Sequence, residues 1–143
     1  MKIEKLGFHD ATDATLDQLT VLLREFAPGS RAIQQDLFWL MVARNVIFVA
    51  RTPEGQIVGM VQLAAVFKWT GLECRGAELI VLEAFRGQGI SKLLAQAMID
   101  QARSIHASHI EFTCKPSREA ANKLYPKLGA VRRETNVYRL DLR

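Results

Sequence analysis

The chain has 143 residues, 49% hydrophobic and 24% charged, with a formal net charge of +4, and this size and composition predict one globular domain over residues 1–143. No stretch reaches the roughly 18 consecutive apolar residues of a membrane span, and the N-terminus lacks the apolar segment of a signal peptide, so we expect a cytoplasmic protein without a membrane partner. The modest positive charge, without a Lys/Arg block or interleaved aromatic residues, favours a small anionic ligand or simple solubility over nucleic acid.

The first third of the chain has the pattern of one strand followed by two helices. Residues 3–6 are a short strand candidate. Apolar side chains then recur at helical spacing as far as Phe26, and Thr12 or Asp13 is a suitable N-cap for this helix. The APGS segment ends it, because Pro and Gly interrupt helical periodicity. A second helix is predicted over residues 32–43.

Three β-rich segments follow. A β-branched run over residues 46–52 and a long apolar run over residues 57–69 flank the turn sequence PEGQ, and this arrangement predicts a β-hairpin. A second turn, TGLE, leads into a strand over residues 74–82. We therefore expect three consecutive strands in this part of the chain.

The second half of the chain alternates helix and strand. The segment SKLLAQAMIDQARSIHA, which begins at Ser91, carries an apolar stripe and predicts a helix. Residues 108–115 predict a strand. A last helix, capped by Ser117 and ended at Gly129, is expected to be kinked or shortened by Pro126.

A final strand pair, ending with residues 136–142, closes the predicted order β-α-α-β-β-β-α-β-α-β-β. The strand–helix–strand unit over residues 74–115 predicts a parallel pair joined by a right-handed crossover, whereas the hairpins predict antiparallel neighbours. We therefore expect an α/β fold with a mixed, largely antiparallel twisted sheet of six to seven strands, a central parallel pair and helices on both faces.

The two cysteines, Cys74 and Cys114, lie in different predicted strands, with no CxxC pattern and no nearby pair of histidines. A zinc site needs more ligands than these residues supply. We therefore expect two reduced thiols and no bound metal.

The segment FRGQGIS, residues 85–91, lies between a predicted strand and a predicted helix. This position gathers unpaired backbone N–H groups and the positive end of the helix dipole, which together bind phosphate. Gly87 and Gly89 allow a positive φ and a close backbone approach, while Arg86 and Lys92 add positive charge. The P-loop pattern is absent, and Lys92 occupies the third glycine position of the dinucleotide pattern. A tight turn without a ligand is the alternative interpretation.

Residues 78–91, ELIVLEAFRGQGIS, closely resemble the coenzyme A-binding motif of the GNAT-type N-acetyltransferases. In that motif Arg or Gln is followed by two residues, a glycine, one residue, and then Gly or Ala. Arg86 and Gly89 match it, whereas Ser91 stands at a position where the family prefers Gly or Ala.

Residues 115–130, KPSREAANKLYPKLGA, resemble the second common segment of the same family, in which a helix ends in Leu-Tyr, two residues, Leu-Gly and an aromatic residue. Tyr125 and Gly129 are among the matching positions, and Ala130 replaces the usual phenylalanine. The two motifs occur in the family's order, so the resemblance covers nearly the whole chain and implies a GNAT-like fold.

The resemblance implies acetyl-CoA as the cofactor. Its pyrophosphate is expected on the turn amides, and its pantothenate arm is expected to lie like an added strand beside the end of the 74–82 strand. For Asn122, an ordinary exposed polar position is the alternative to contact with the pantetheine. The implied cofactor contacts are Leu79, Ile80, Val81, Arg86, Gly87, Gln88, Gly89, Ile90, Ser91, Lys92 and Asn122.

The resemblance also implies two catalytic residues. In many relatives the tyrosine at position 125 protonates the departing thiolate, and a phenol with a pKa of about 10 suits a thiol that titrates near 8.5; a tyrosine that only packs its helix is the alternative. Glu78 is implied as the general base, although the commonest glutamate position in the family is Ala77 here. A one-residue offset turns a strand side chain to the other face, unless a β-bulge restores it.

The activity implied is transfer of an acetyl group to a primary amine of a small molecule or peptide by direct attack on the thioester. The alternatives are a non-catalytic acyl-CoA-binding or sensing module of the same fold and, on charge alone, a nucleic-acid-binding domain. The edge strands are compatible with a homodimer. The acceptor amine is expected where the first two helices, their APGS loop and the late RRETN loop meet, with candidate contacts at Glu25, Phe26, Asp36, Trp39 and Glu134.

Overall fold

The computed structural model describes residues 1–142, and its first nine strands and helices follow the predicted order. The strands are β1 (Lys2–Lys5), β2 (Val46–Arg51), β3 (Ile57–Lys68), β4 (Gly71–Val81) and β5 (Ile110–Phe112). The helices are α1 (Asp13–Phe26), α2 (Gln35–Arg44), α3 (Ile90–Ser104) and α4 (Glu119–Lys127), and short 3₁₀ turns cover Phe8–Asp10 and Glu83–Phe85.

The five strands form one sheet in the order β1-β2-β3-β4-β5. Neighbouring strands are antiparallel except β4 and β5, which are parallel and pair from Cys74↔Ile110 to Gly76↔Phe112. Parallel neighbours need a crossover connection, and α3 supplies it. The prediction of a mixed α/β fold with a parallel pair joined by a helix is confirmed.

The prediction of six to seven strands is wrong, because the part of the chain that the structure describes has five strands and none after α4. The predicted last strand, residues 136–142, alternates in the way a strand does, but its side chains are exposed and it joins no ladder. Alternation of apolar and polar residues indicates a preference for extended backbone, whereas a strand also requires hydrogen bonds to a neighbouring strand. The parallel pair consequently lies at the edge of the described sheet and not at its centre.

Helices cover both faces of β3. A Cβ added at Gly59 would lie 3.1 Å from Leu94 Cδ1, so this face of the strand lies under α3. Successive residues of a strand point to opposite faces, and Val58 and Met60 on the other face are also at most 2% exposed. Helix α1, which contacts β3 and β4, covers that second face.

Two helix caps follow the sequence closely and a third does not. Thr12 Oγ1 accepts the Thr15 N–H at 3.2 Å and begins α1 as predicted. Helix α4 begins after Arg118, which makes no side-chain cap, so the predicted cap at Ser117 is wrong. At its other end Gly129, with φ +86°, lets the Ala130 N–H reach the Tyr125 carbonyl at 3.1 Å, a Schellman ending.

The described chain groups into two compact units. The first, Met1–Phe112, holds the sheet and the helices α1 to α3, and the second begins at Thr113 and holds α4. The single domain over residues 1–143 therefore stays a prediction. Within residues 1–142 no helix combines the length and the apolarity that crossing a bilayer requires.

Candidate cofactor turn and catalytic residues

The glycine turn connects the end of β4 to the start of α3. Gly87 and Gly89 have φ angles of +77° and +79°, and Gly89 is the N-cap of α3. A Cβ at either position would meet no atom within 4 Å. The positive φ, and not a lack of space, is therefore what favours glycine at both positions.

The amides that follow the turn are available to a ligand. The first α3 amide with a partner is Leu93 N–H, which donates to the Gly89 carbonyl at 3.1 Å. From Gly87 to Lys92 no backbone N–H donates a hydrogen bond to any of the described residues. The opening of a 15-residue helix also carries a partial positive charge, so this turn has the donors and the field that an anion requires.

Arg86 is held at the turn by two acceptors. Its Nε–H donates to the Val81 carbonyl at 3.0 Å, and its Nη2 lies 3.3 Å from Glu25 Oε1. The same Glu25 oxygen accepts the Glu83 N–H at 2.6 Å. Glu25, which the sequence suggested as a contact of the acetyl-accepting amine, thus contacts the start of the glycine turn through its described hydrogen bonds. The 58 and 61 residues that separate it from Glu83 and Arg86 left no local pattern by which to predict this contact.

Strand β4 contains the bulge that the offset of Glu78 requires. Met60 pairs with Ile80 and Gln62 pairs with Ala77, so one residue of β3 opposes two of β4. Glu78 lies within this bulge with φ +52°, a left-handed conformation that is uncommon outside glycine. The bulge interrupts the simple alternation of side chains, and Glu78 is half-buried.

Strand β4 pairs with a single described strand, β3, along its last residues. Pairing with β5 ends at Gly76, whereas pairing with β3 continues to Val81. Over residues 77–81 β3 is therefore the only neighbouring strand among the described residues. This end of β4 is where the sequence predicts that an extended cofactor arm lies, at Leu79, Ile80 and Val81.

Tyr125 lies on α4 in the second unit and is half-buried. Burial raises the pKa of its phenol above the usual value of 10.0, the Cys114 thiol adds to that rise, and the Arg118 guanidinium opposes it. The phenol is consequently protonated at neutral pH, which is the form that a general acid needs.

Asn122, a predicted cofactor contact on the same helix, uses its amide nitrogen within the second unit. Its Nδ2 donates to the Lys115 carbonyl at 2.9 Å and to the Arg118 carbonyl at 3.0 Å. These bonds tie the residues before α4 to the helix. The side-chain oxygen is the part of Asn122 that is left for a ligand.

The other acceptor candidates occupy separate elements. Phe26 ends α1 and is 37% exposed. Trp39 lies on α2, and its ring centroid is 6.0 Å from that of Phe8, a partner that the sequence pattern did not indicate. Asp36 Oδ1 accepts the Leu37 N–H in the first turn of α2, and Glu134 is an exposed residue of the second unit. Across residues 1–142 no cluster of three His, Cys, Asp or Glu side chains could hold a metal ion.

Comparison with known proteins identifies the class. Residues 15–130 match the Acetyltransferase (GNAT) family. The chain belongs to this family, as its two sequence motifs indicated. Among the curated proteins none matches the sequence significantly.

Solved structures of acetyltransferases share the fold. An aminoglycoside acetyltransferase from an uncultured soil metagenomic sample superposes with a TM-score of 0.87 at 17% identity, over 99% of this chain and 96% of that one. The ribosomal-protein-alanine N-acetyltransferase of Brucella melitensis gives 0.76 at 23% identity, over 98% and 100%. The glucosamine-6-phosphate N-acetyltransferase of Arabidopsis thaliana gives 0.77 at 17% identity, over 97% of both chains. At these identities the likeness shows the fold alone.

Proposed function

We propose that this protein transfers an acetyl group from acetyl-CoA to a primary amine of a small molecule or peptide. The observation that carries the proposal is the row of backbone donors from Gly87 to Lys92, set at the start of α3 and beside Arg86. A pyrophosphate is a ligand of matching charge and geometry for such a row. Membership of the acetyltransferase family supports the same cofactor.

The residues of the first unit divide the binding of the cofactor between them. The amides of Gln88, Gly89, Ile90 and Ser91 donate to the pyrophosphate, with the positive charges of Arg86 and Lys92 beside them. The backbone near residues 79–81, beyond the point where pairing with β5 ends at Gly76, binds the pantothenate arm in the manner of an added strand.

The chemistry requires one proton to leave the amine and one to reach the sulfur. Acetyl-CoA supplies an acetyl group on a thioester; a C–N bond forms as the C–S bond breaks. Glu78 takes the proton from the attacking amine, and Tyr125 gives its hydroxyl proton to the departing thiolate. Burial raises the pKa of Tyr125, which keeps the donor protonated at neutral pH.

The acceptor class rests on the fold and on the solved neighbours. These proteins act on an aminoglycoside, on an alanine of a ribosomal protein and on glucosamine 6-phosphate. All three acceptors present a primary amine, so we infer a small-molecule or peptide amine for this chain. A cytoplasmic location and a homodimer stay predictions from the sequence.

Calorimetric titration of acetyl-CoA into the purified protein tests the proposal. Wild type is expected to bind, Arg86→Ala to bind about 10-fold more weakly because a charge-assisted contact is lost, and Gly89→Glu to lose binding. Arg103→Ala is the matched control for Arg86, since it removes an exposed arginine from the far end of α3.

Gly29→Glu is the control for Gly89→Glu, since Gly29 lies in an open loop. A folded wild-type protein that takes up no acetyl-CoA would contradict the proposal. Binding without turnover across a broad amine screen would favour the non-catalytic acyl-CoA-binding module.

A further inference from the structure

One carboxylate oxygen connects α1 to the cofactor turn. Glu25 Oε1 accepts the Glu83 N–H at 2.6 Å and lies 3.3 Å from Arg86 Nη2. Glu83 begins the 3₁₀ turn that follows β4, and Arg86 is the C-cap residue directly after it. The two bonds therefore hold both ends of a short segment that directly precedes the available amides.

The segment between Leu82 and Gly89 makes few other described hydrogen bonds, although its Phe85 side chain is half-buried. Inside the turn, Phe85 N–H and Arg86 N–H donate to the carbonyls of Leu82 and Glu83. The Arg86 side chain adds the bond to Val81 in its own strand. Among the described hydrogen bonds, Glu25 supplies the partner from a distant element for residues 83–86, and its bond to the Glu83 N–H is short and charge-assisted.

We infer that Glu25 is a positioning residue for acetyl-CoA: it holds the Glu83 amide and the Arg86 guanidinium in place so that the following amides are preorganised for the pyrophosphate. The inference rests on the proposed function, because it assigns Glu25 to the cofactor site of that proposal. Glu25, suggested by the sequence as a contact of the acceptor amine, is thereby reassigned to the cofactor site. The last turn of α1 becomes part of the cofactor-binding structure.

Two opposing effects decide the sign of a substitution at Glu25. Its negative charge repels a pyrophosphate, so removing the charge alone strengthens binding. Its oxygen orders the turn, so removing the acceptor weakens binding. The charge already has a guanidinium partner and its side chain is 36% exposed, which screens the repulsion. The ordering effect is therefore expected to win.

The experiment compares Glu25→Ala with Glu25→Gln by calorimetric titration of acetyl-CoA. The alanine variant loses the acceptor and is expected to raise the Kd about 3- to 10-fold. The glutamine variant keeps an oxygen at the same place and is expected to stay within about twofold of wild type or to bind more tightly. A loss of affinity in Glu25→Ala that is absent in Glu25→Gln points to the missing hydrogen-bond acceptor and not to general destabilisation. Circular dichroism verifies that each variant is folded.

Asp17→Ala is the matched control, because it removes an exposed carboxylate from the same helix two turns earlier, where Asp17 has no described partner. Its Kd is expected to equal that of wild type. In an Arg86→Ala background, Glu25→Ala is expected to have a smaller effect than in wild type, because part of its action passes through Arg86.

Each outcome decides between the two proposals. If the wild type does not bind acetyl-CoA, the proposed function fails and this inference fails with it. If the wild type binds and Glu25→Ala binds equally well or more tightly, only the positioning role is overturned. The role is overturned as well if glutamine is as damaging as alanine, or if the effects of the Glu25 and Arg86 substitutions are fully additive.

Discussion

The strand–turn–helix segment that carries the glycine turn differs sharply from the segment that begins at Thr113. In the first, Ile80, Ile90, Leu94 and Met98 are each at most 4% exposed, on either side of the turn. In the second, α4 has no buried residue, and the large apolar side chains beyond it, such as Leu140, are more than 75% exposed. The proposed anion site is therefore flanked by packed core residues, whereas the proposed proton donor lies on a helix that has no fully buried residue.

The difference matches the work that each part is proposed to do. Donors that stabilise a bound anion must be held in place before it arrives, and core packing on both sides of the turn provides this. A phenol that delivers one proton needs a raised pKa and the correct geometry, and a helix ended by Gly129 supplies a local frame for it. We expect perturbations of the first segment to act on stability and binding, and perturbations of the second to act on turnover.

The largest expected effect breaks the packing of the first segment. Leu94 is fully buried, with its Cδ1 close to Gly59 of β3. Leu94→Ala is expected to lower the free energy of unfolding by about 2–5 kcal/mol, because it removes buried methyl groups and leaves a cavity. Leu140→Ala is the matched change in the second segment and is expected to cost less than about 0.5 kcal/mol. Urea unfolding measures both, and equal costs would show that the two segments are packed alike.

The next effect tests the proton donor without touching the core. Tyr125→Phe is expected to lower kcat about 100-fold, with the Kd for acetyl-CoA unchanged, because only the hydroxyl is lost. The measurement is thiol release with an amine from the acceptor screen, beside calorimetry. Since burial raises the pKa of Tyr125 above 10.0, the wild-type rate should not fall for want of this proton up to about pH 10. An unchanged kcat would leave Tyr125 with a packing role only.

A smaller effect is expected from substitutions at two glycines that share a left-handed backbone conformation. Gly89 and Gly129 both have a positive φ and open space where a Cβ would lie. Gly89→Ala is expected to cost about 1–2 kcal/mol of unfolding free energy and to weaken acetyl-CoA binding. Gly129→Ala is expected to cost less, because the end of a helix without buried residues frays locally. The comparison fails if Gly129→Ala is the more damaging change in urea unfolding.

The smallest effect is expected on the melting temperature when either of two ion pairs is removed and the pH is lowered. The Lys68 ammonium, paired with the Glu73 carboxylate, holds the pKa of Glu73 below its usual 4.5, with His109 and Arg75 adding to the shift. A lowered pKa in the folded state stabilises above about pH 4.5 and loses that stabilisation as the pH falls below it. Glu73→Gln should therefore melt earlier than wild type near neutral pH, and the difference should vanish in acid.

Asp141→Asn in the second segment removes an exposed pair with Arg139 and is expected to leave the melting temperature unchanged at every pH. Thermal melts recorded across this pH range measure both variants. A difference for Glu73→Gln that persisted in acid would contradict the assignment to its charge.

The sequence predicted best where local pattern and tertiary packing agree. The helix from Thr12 and the parallel pair around α3 follow from caps, apolar periodicity and the strand–helix–strand order. The glycine turn followed from its position between strand and helix. The prediction of a last strand was wrong because residues 136–142 have the alternation of a strand but no described ladder partner. Alternation alone does not determine whether a segment pairs with another strand.

At the site, the sequence alone identified the residues that form the turn itself. Gly87, Gly89 and Arg86 are neighbours in the chain, so their chemistry was readable as a motif. Only the tertiary structure decided two further features: the bulge that places Glu78 in a left-handed conformation, and the Glu25 oxygen that reaches Glu83. Both depend on how separate elements align, because register and long-range contacts are set by packing between segments and not by the residues on either side in the sequence.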